Sequence, residues 1–559
     1  MAGFDLQEEQ EKRLQEFRTR EAEDLTRILA RKYDLSYIDL SGITIDLDGL
    51  QILKEKDARR GQMAIFQKIG KKLRIAIKSP NLDGTKEVLS TLKDMGYSYE
   101  LFLSSEHSLG RAWSRYKEVP EFLETKRGFI DISVERLQEF SEKIENIKTL
   151  RDTLDPMTHT TQQRKVSEIL EAVVASALKL GASDIHVEPQ EKEARLRLRL
   201  DGMLQDVVML PFPVYKLLLS RVKLVSELKL NIHQKPQDGR FTIRPEERRD
   251  IEVRTSILPG AYGESIVMRI LDPQTISIEV ANLGMRPDLQ IIVEDQLKKP
   301  NGMILTTGPT GSGKTTTLYA FIKKVYTPDV KVITIEDPIE YHVIGINQTQ
   351  VDASKGYSFA TGLRSILRQD PDVILVGEIR DLETANTAMH AALTGHQVFS
   401  TLHTNDAAGT IPRLIDLGVR PSIIAPAVNM SMAQRLIRKL CEACKKKDAP
   451  TPEEKAKITH AIETLPKGMA RPDISSFSLY HPQGCNECND TGYKGRIGIF
   501  EILLIDDEVE RLILESPSHA KLRDEMKRQR IPNLFQDGML KVIEGITSLE
   551  EVERAAGAK

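Results

Sequence analysis

The stretch from Asn301 to Tyr319, NGMILTTGPTGSGKTTTLY, constrains this chain more than any other. Met303–Thr307 is short, apolar and rich in β-formers, and reads as a buried strand. It runs straight into Gly308, Pro309, Thr310, Gly311, Ser312, Gly313, Lys314 and Thr315, and Thr316 to Val325 then has the spacing of a helix. Strand, GxxxxGKT and helix in that order form the context of a phosphate-binding loop. The glycines let backbone N–H groups converge on one concavity, and the helix N-terminus adds partial positive charge. Lys314 is placed to reach the β- and γ-phosphates, and Thr315 to offer its hydroxyl to Mg²⁺. The stretch therefore predicts a site for a nucleoside triphosphate.

A chain of 559 residues is too long for one core and suggests three or four domains. A formal net charge of −3 gives no general ground for nucleic-acid binding. No apolar run approaches the roughly 20 residues that span a bilayer, so a transmembrane segment is not expected. The start, MAGFDLQEEQEKR, is charged where a signal peptide is apolar. A cytoplasmic protein with at most peripheral membrane contact is the expectation.

Glu8 to Tyr33 reads as a charged helix, with Leu14, Phe17, Leu25, Ile28 and Leu29 as its apolar stripe. A strand at Leu73–Ile77 and a helix near Thr85–Met95 make residues 1–150 an N-terminal α/β domain. Polar residues around Asp155–Arg164 suggest an interdomain linker over 151–164. A helix with Val166, Ile169, Leu170, Val173, Val174 and Ala177 on one face then opens a second α/β domain, 165–280. Its strict alternation at Ala194–Leu200 predicts a half-buried strand, Asp201-Gly202 a hairpin turn, and Gln237–Arg240 a second turn. From residue 281 to 559 strands alternate with helices, the pattern of a parallel sheet, and past Ser431 the chain reads as mainly helical apart from one cysteine-bearing excursion.

Three polar clusters follow three predicted strands, at the strand ends where open parallel sheets bind ligands. They are Glu336-Asp337-Pro-Ile-Glu340 with Val332–Glu336, Gly377-Glu378-Ile-Arg-Asp381 with Val373–Val376, and Gly395-His396, leading to Leu402-His403-Thr404-Asn405-Asp406, with Gln397–Thr401. The second takes the place of a Walker B element, with Gly377 where the first Asp usually stands. That leaves Glu378 to polarise water, and Mg²⁺ to Thr315 with Glu336 or Asp337 acting through its waters. His403 reads either as a γ-phosphate sensor or as a packing histidine, and His396 carries a weaker form of the same signal.

All four cysteines fall in two CxxC pairs, Cys441/Cys444 and Cys485/Cys488, with 40 residues between them. The spacing suits tetrahedral Zn²⁺ in a closed structural site. Two disulfides are the alternative, which a reducing compartment opposes.

The blocks SDIHVEP, RLRLDG, QDGR, GPTGSGKTTT, ITIEDPIEY, LRSILRQDPDVILVGEIRD, TGHQVFSTLHTNDA and GCNECNDTGYKGRIGIFE, between Ser183 and Glu501, resemble the ATPase family of type IV pilus assembly and type II secretion. The resemblance implies a RecA-like core, a PAS-like domain before it, a four-cysteine zinc subdomain over 438–497 and a helical C-terminal region over 502–559. It implies a homohexamer that hydrolyses ATP with Mg²⁺, with structural Zn²⁺, on an inner-membrane platform protein, and a cytoplasmic adaptor as a possible partner of the N-terminal domain. By the same resemblance Glu378, Lys314, Glu336, Glu340 and His403 are catalytic, Thr315, Asp337 and Glu378 make the Mg²⁺ site, and Glu336, Asp337 and Glu340 form an Asp box. His396 and His403 form a His box, and Arg254, Arg269, Arg364 and Arg368 contact phosphate. The cysteines and the long N-terminal region look like the extension and export branch, and the tandem motif that binds cyclic di-GMP in some relatives is not seen in Met1–Tyr37. Type II secretion is the alternative to pilus assembly, and a nucleic-acid translocase the remote one.

Overall fold

Alternation builds one sheet of this protein and unbroken apolar runs build another. The computed structural model describes residues 20–50, 52–117, 129–130, 139–140, 143–158, 163–243, 250–272, 278–474 and 477–557. The chain divides into two compact units, Met1–Glu124 and Thr125–Lys559.

The first unit has four strands, β1 (Ser36–Tyr37), β2 (Met63–Ile69), β3 (Lys72–Ile77) and β4 (Ser98–Leu103), in the order β1-β4-β3-β2. Helices Asp83–Asp94 and Glu106–Ser114 accompany them, so the predicted strand and helix are present within two residues. Residues 20–32 are helical. Leu14 and Phe17 of the expected stripe lie outside the described residues. Leu29 packs against the core, whereas Leu25 and Ile28 are 59% and 67% exposed.

The unit boundary falls at Glu124, not near residue 150. Beyond it, β5 (Phe129–Ile130) pairs with β9 (Gln237–Ile243). The rest of this seven-stranded sheet is antiparallel: β6 (Asp184–Pro189), β7 (Glu193–Leu200), β8 (Met203–Pro211), β10 (Ile251–Gly260) and β11 (Gly263–Leu271), in the order β5-β9-β10-β11-β6-β7-β8. Ala194, Leu196, Leu198 and Leu200 of β7 are buried, and Arg195, Arg197 and Arg199 take the other face, as period-two alternation demands. Asp201 and Gly202 turn the chain with φ of 48° and 85°, the two positive values that a two-residue hairpin favours. Helices Ile147–Thr158, Gln163–Lys179 and Phe212–Val225 share the apolar core of this sheet.

Two expectations change here. Asp155–Thr158, read as linker, completes the helix that begins at Ile147, because Ile147, Leu150 and Leu154 have core to cover. Gln237–Arg240, read as a turn, lies inside β9. Its glycine serves close approach: a Cβ on Gly239 would lie 2.3 Å from Ser226 O and 2.7 Å from Leu228 Cδ2.

The second sheet is the one the phosphate loop needs. Its strands are β12 (Gly302–Thr307), β13 (Val332–Glu336), β14 (Asn347–Gln350), β15 (Val373–Val376), β16 (Gln397–Leu402), β17 (Val428–Leu440) and β20 (Tyr493–Leu504), in the order β14-β13-β15-β16-β12-β17-β20. All neighbours are parallel except β17 and β20. Every residue of β12, β13, β15 and β16 is buried, which explains runs without alternation. β17 corrects the reading of the chain past Ser431 as mainly helical. Met, Ala, Gln, Arg, Leu and Lys favour helix locally, but the segment supplies the second edge of β12. A two-stranded ribbon, β18 (Lys446–Asp448) and β19 (Leu479–His481), and helix Pro452–Glu463 fill the span between the cysteine pairs. Helices Asp507–Leu514, His519–Arg528, Leu534–Ile543 and Leu549–Ala556 end the fold.

The Gly239 contacts yield a direct test. Gly239→Ala should cost about 1–3 kcal/mol by overpacking, read as a lower denaturant midpoint of the full chain.

Candidate nucleotide-binding site

The strands beside the loop end at one level. Thr307 is opposite Leu402, Val376 is opposite both Ser400 and Ile335, and so three polar clusters are carried to the edge that holds the phosphate loop. Gly308, Gly311 and Gly313 take φ of 147°, 79° and 90°. At Gly308 a Cβ would lie 2.6 Å from Gln434 O and 2.7 Å from Ser312 Oγ, so only glycine lets the loop lie against β17.

Helix Lys314–Val325 begins within the motif. Lys314 Nζ donates to the loop carbonyls of Gly308 at 2.8 Å and Pro309 at 3.1 Å. Burial lowers its pKa, Glu378 raises it and Arg435 lowers it further. Ser312 Oγ is buried without a hydrogen-bond partner among the described residues. Gly308 is buried, Pro309, Thr310 and Thr315 are exposed, and Thr316 is half-buried. A cation resting on its own loop, an unpartnered hydroxyl and an exposed Thr315 fit a triphosphate with Mg²⁺.

Four carboxylates differ sharply in their surroundings. Glu336, 3% exposed, accepts hydrogen bonds from Tyr319 Oη, from Thr334 Oγ1 at 2.6 Å and from Gln348 Nε2 at 3.2 Å. Burial and then Glu336 itself push the Tyr319 pKa above the usual phenol range, which keeps that donor protonated. Glu378 instead pairs with exposed Arg380 and lies 3.3 Å from His403 Nε2. Glu340 is met by Arg254 at 3.3 Å, and Arg254 also donates to Ile339 O. Asp337 lies 3.5 Å from Arg380.

The other expected residues are placed less uniformly. Arg269 pairs with Asp184 at 3.0 Å. Arg364 pairs with Glu383, and Arg368 folds onto Arg364 O and Ser365. His396 does not join His403. It precedes β16, at the far end from the loop, and its Nδ1 lies 2.9 Å from Ala391 O. A strand of that length separates the two histidines by roughly 20 Å.

The four cysteines are free and converge. Cys441–Cys485, Cys444–Cys488 and Cys485–Cys488 have Sγ separations of 3.9, 3.8 and 3.7 Å. A disulfide requires about 2.05 Å, whereas Zn–S bonds of about 2.3 Å put tetrahedral sulfurs about 3.8 Å apart. The N–H groups of Cys485 and Gly492 donate to Cys488 Sγ at 3.2 Å, which suits a thiolate. The donor set therefore fits Zn²⁺.

The sequence pattern of the family described as "Type II/IV secretion system protein" matches residues 159–554. The chain belongs to that family. Type IV pilus assembly ATPase PilB of Myxococcus xanthus is 36% identical over 95% of this chain and 91% of its own length. Type II secretion system protein E of Aeromonas hydrophila is 42% identical over 70% of this chain and 75% of its own. The ATPase DotB of Yersinia pseudotuberculosis shares the fold, with a TM-score of 0.50 and 20% identity over 69% of this chain and 93% of that one. This secretion-system family member is thus an ATPase with a RecA-like α/β core. Among its described residues no helix is long and apolar enough to cross a membrane.

Sequence reasoning missed the donors of Glu336, namely Tyr319 and Gln348, and the residues behind the loop. Gln434 Oε1 accepts from Thr317 at 2.8 Å, and Arg435 reaches Asn405 O at 2.8 Å. Arg380 stood within the second cluster with no role attached. Apart from Arg380, two residues from its partner Glu378, only residue types were visible for these, since the partners are distant in the chain. In this secretion ATPase, Tyr319→Phe should destabilise the core by about 1–3 kcal/mol, because it strips a buried carboxylate of one donor. Chemical denaturation would measure it.

Proposed function

We propose that this ATPase is a Mg²⁺-dependent motor of type IV pilus assembly. It works as a homohexamer at the cytoplasmic face of the inner membrane, on a platform protein, and an adaptor docks on its N-terminal unit. The observation that carries the catalytic reading is Glu378 at the end of β15, within electrostatic range of Lys314 and in contact with His403.

The loop N–H groups of Gly308 and of Thr310–Thr316 and the Lys314 ammonium bind phosphate oxygens once Lys314 leaves its carbonyl contacts. Mg²⁺, when bound, neutralises charge on the transferring phosphoryl group, and Thr315 with Asp337 holds its hydrated shell. Glu378 accepts a proton from water and orients it, and His403 steadies that carboxylate. Glu336 is a positioning residue rather than a base, since three donors already occupy it. Glu340 links the Asp box to Arg254 of the PAS-like domain, so a change at the phosphates can be passed to that lobe. Arg269, Arg364 and Arg368 are proposed to face phosphate across a subunit boundary. A ring makes such boundaries heterologous. Zn²⁺ on Cys441, Cys444, Cys485 and Cys488 fastens the insertion.

Pilus assembly is preferred to type II secretion because the match to the pilus ATPase extends over 95% of the chain, against 70% for the secretion relative. Glu378→Gln should lower ATP hydrolysis by about 10²–10⁴-fold with ATP still bound. Unchanged turnover would overturn the role. In cells the same substitution should abolish surface pili and leave protein export intact, and the reverse pattern would favour secretion. Metal analysis of the purified chain should find about one zinc per chain, lost in Cys485→Ser together with a lower melting temperature.

A further inference from the structure

Four consecutive residues after His403 are each held by a different part of the fold. Thr404 N–H donates to Thr307 Oγ1, at the end of β12, at 2.8 Å. The Asn405 carbonyl accepts from Arg435 of β17 at 2.8 Å. The Asp406 carboxylate accepts from His519 Nε2 at 2.7 Å and Arg523 Nη2 at 2.8 Å. Ala407 N–H donates at 2.7 Å to Glu501 of β20, whose second oxygen accepts Leu534 N–H at 3.1 Å. Burial raises the pKa of Asp406, but His519, Arg523 and Gly409 N–H outweigh it and hold the carboxyl below its usual range.

Thr307, Arg435 and Glu501 belong to strands of the central sheet, so those three anchors are rigid. The Asp406 anchor is of another kind. His519 and Arg523 sit on helix His519–Arg528, more than 110 residues further along the chain. The Asp406 side chain is 15% exposed, and both of its partners are close to half exposed. A nearly buried carboxylate therefore takes two cationic or hydrogen-bonding side chains from the C-terminal helices, three residues from the histidine that touches Glu378.

From this we infer that Asp406, clamped by His519 and Arg523, is a positioning residue for ATP hydrolysis: it holds the 403–407 loop so that His403 stays on Glu378. The C-terminal helical region thereby becomes part of the nucleotide site. The inference rests on the proposed role of the Glu378–His403 pair.

The test is steady-state ATPase kinetics of the full chain, with His403→Ala, Asp406→Asn and the double variant compared. Asp406→Asn should lower kcat about tenfold with KM for ATP within about twofold, the signature of an interaction used after binding. In the His403→Ala background the same substitution should cost nothing further, because both act on one contact. Losses that multiply, or an unchanged kcat in Asp406→Asn, would overturn the inference. Should Asp406→Asn misfold, Arg523→Ala replaces it, since the bond from Gly409 N–H to Asp406 at 2.8 Å is then kept. Arg523→Lys should restore most of kcat, and a Lys variant no better than Ala counts against the clamp. If His403→Ala alone leaves hydrolysis intact, the reading of the pair fails and this inference falls with it. If His403→Ala is slow but Asp406→Asn is not, only the clamp fails.

Discussion

A strand buried on both faces must also have both of its edges paired, because an unmet backbone N–H or C=O inside a core costs as much as a lost hydrogen bond. β12 is such a strand, all six of its residues buried, and the ATPase core follows from that requirement. One edge takes β16, which delivers His403, and the other takes β17, which delivers Gln434 and Arg435. Gly308 then has no room for a side chain, since Gln434 O stands 2.6 Å from where a Cβ would be. The phosphate loop is thus shaped from behind by a strand more than a hundred residues away, as well as by its own glycines.

The two lobes of the second unit meet through polar groups. Arg254 reaches Glu340 and Ile339, Asp201 accepts from Gly495 N–H at 2.8 Å, and Asn489 beside the cysteine cluster accepts from Ile147 N–H at 2.7 Å. On the sheet face, Arg240, Arg254 and Arg269 stand directly opposite one another across three strands. Like charges so placed repel, and the row is balanced by Glu252, Asp184 and Glu340.

What could be read from the sequence was whatever its local pattern specifies. ARLRLRL could only be a half-buried strand, Asp201-Gly202 only a tight turn, and the glycines of the phosphate loop announced both their conformation and their ligand. What escaped was set by distant partners. Val428–Leu440 has helix-forming composition and becomes a strand because β12 needs a neighbour. Gly239 looked like a turn residue and is a strand residue pressed on Ser226. His396 and His403 share a segment in the sequence, yet a strand carries them to opposite ends of the sheet. The resemblance named both histidines, and the fold brings only one of them to Glu378.

Glu336 and Glu378 show why residue type alone could not assign the chemistry. Both stand at the ends of short apolar strands, and those strands are neighbours in the sheet. Glu336 is the last residue of its strand, so its side chain points into the packed layer under helix Lys314–Val325, where Tyr319, Thr334 and Gln348 donate to it. Glu378 lies two residues past Val376, with Gly377 between, and emerges from the sheet edge towards Lys314 and His403. A buried carboxylate that already takes three of its roughly four possible donors offers water little access; one held by an exposed arginine and a histidine at 3.3 Å can exchange partners. The step from strand end to loop, about two residues, separates a structural carboxylate from one that can act on water.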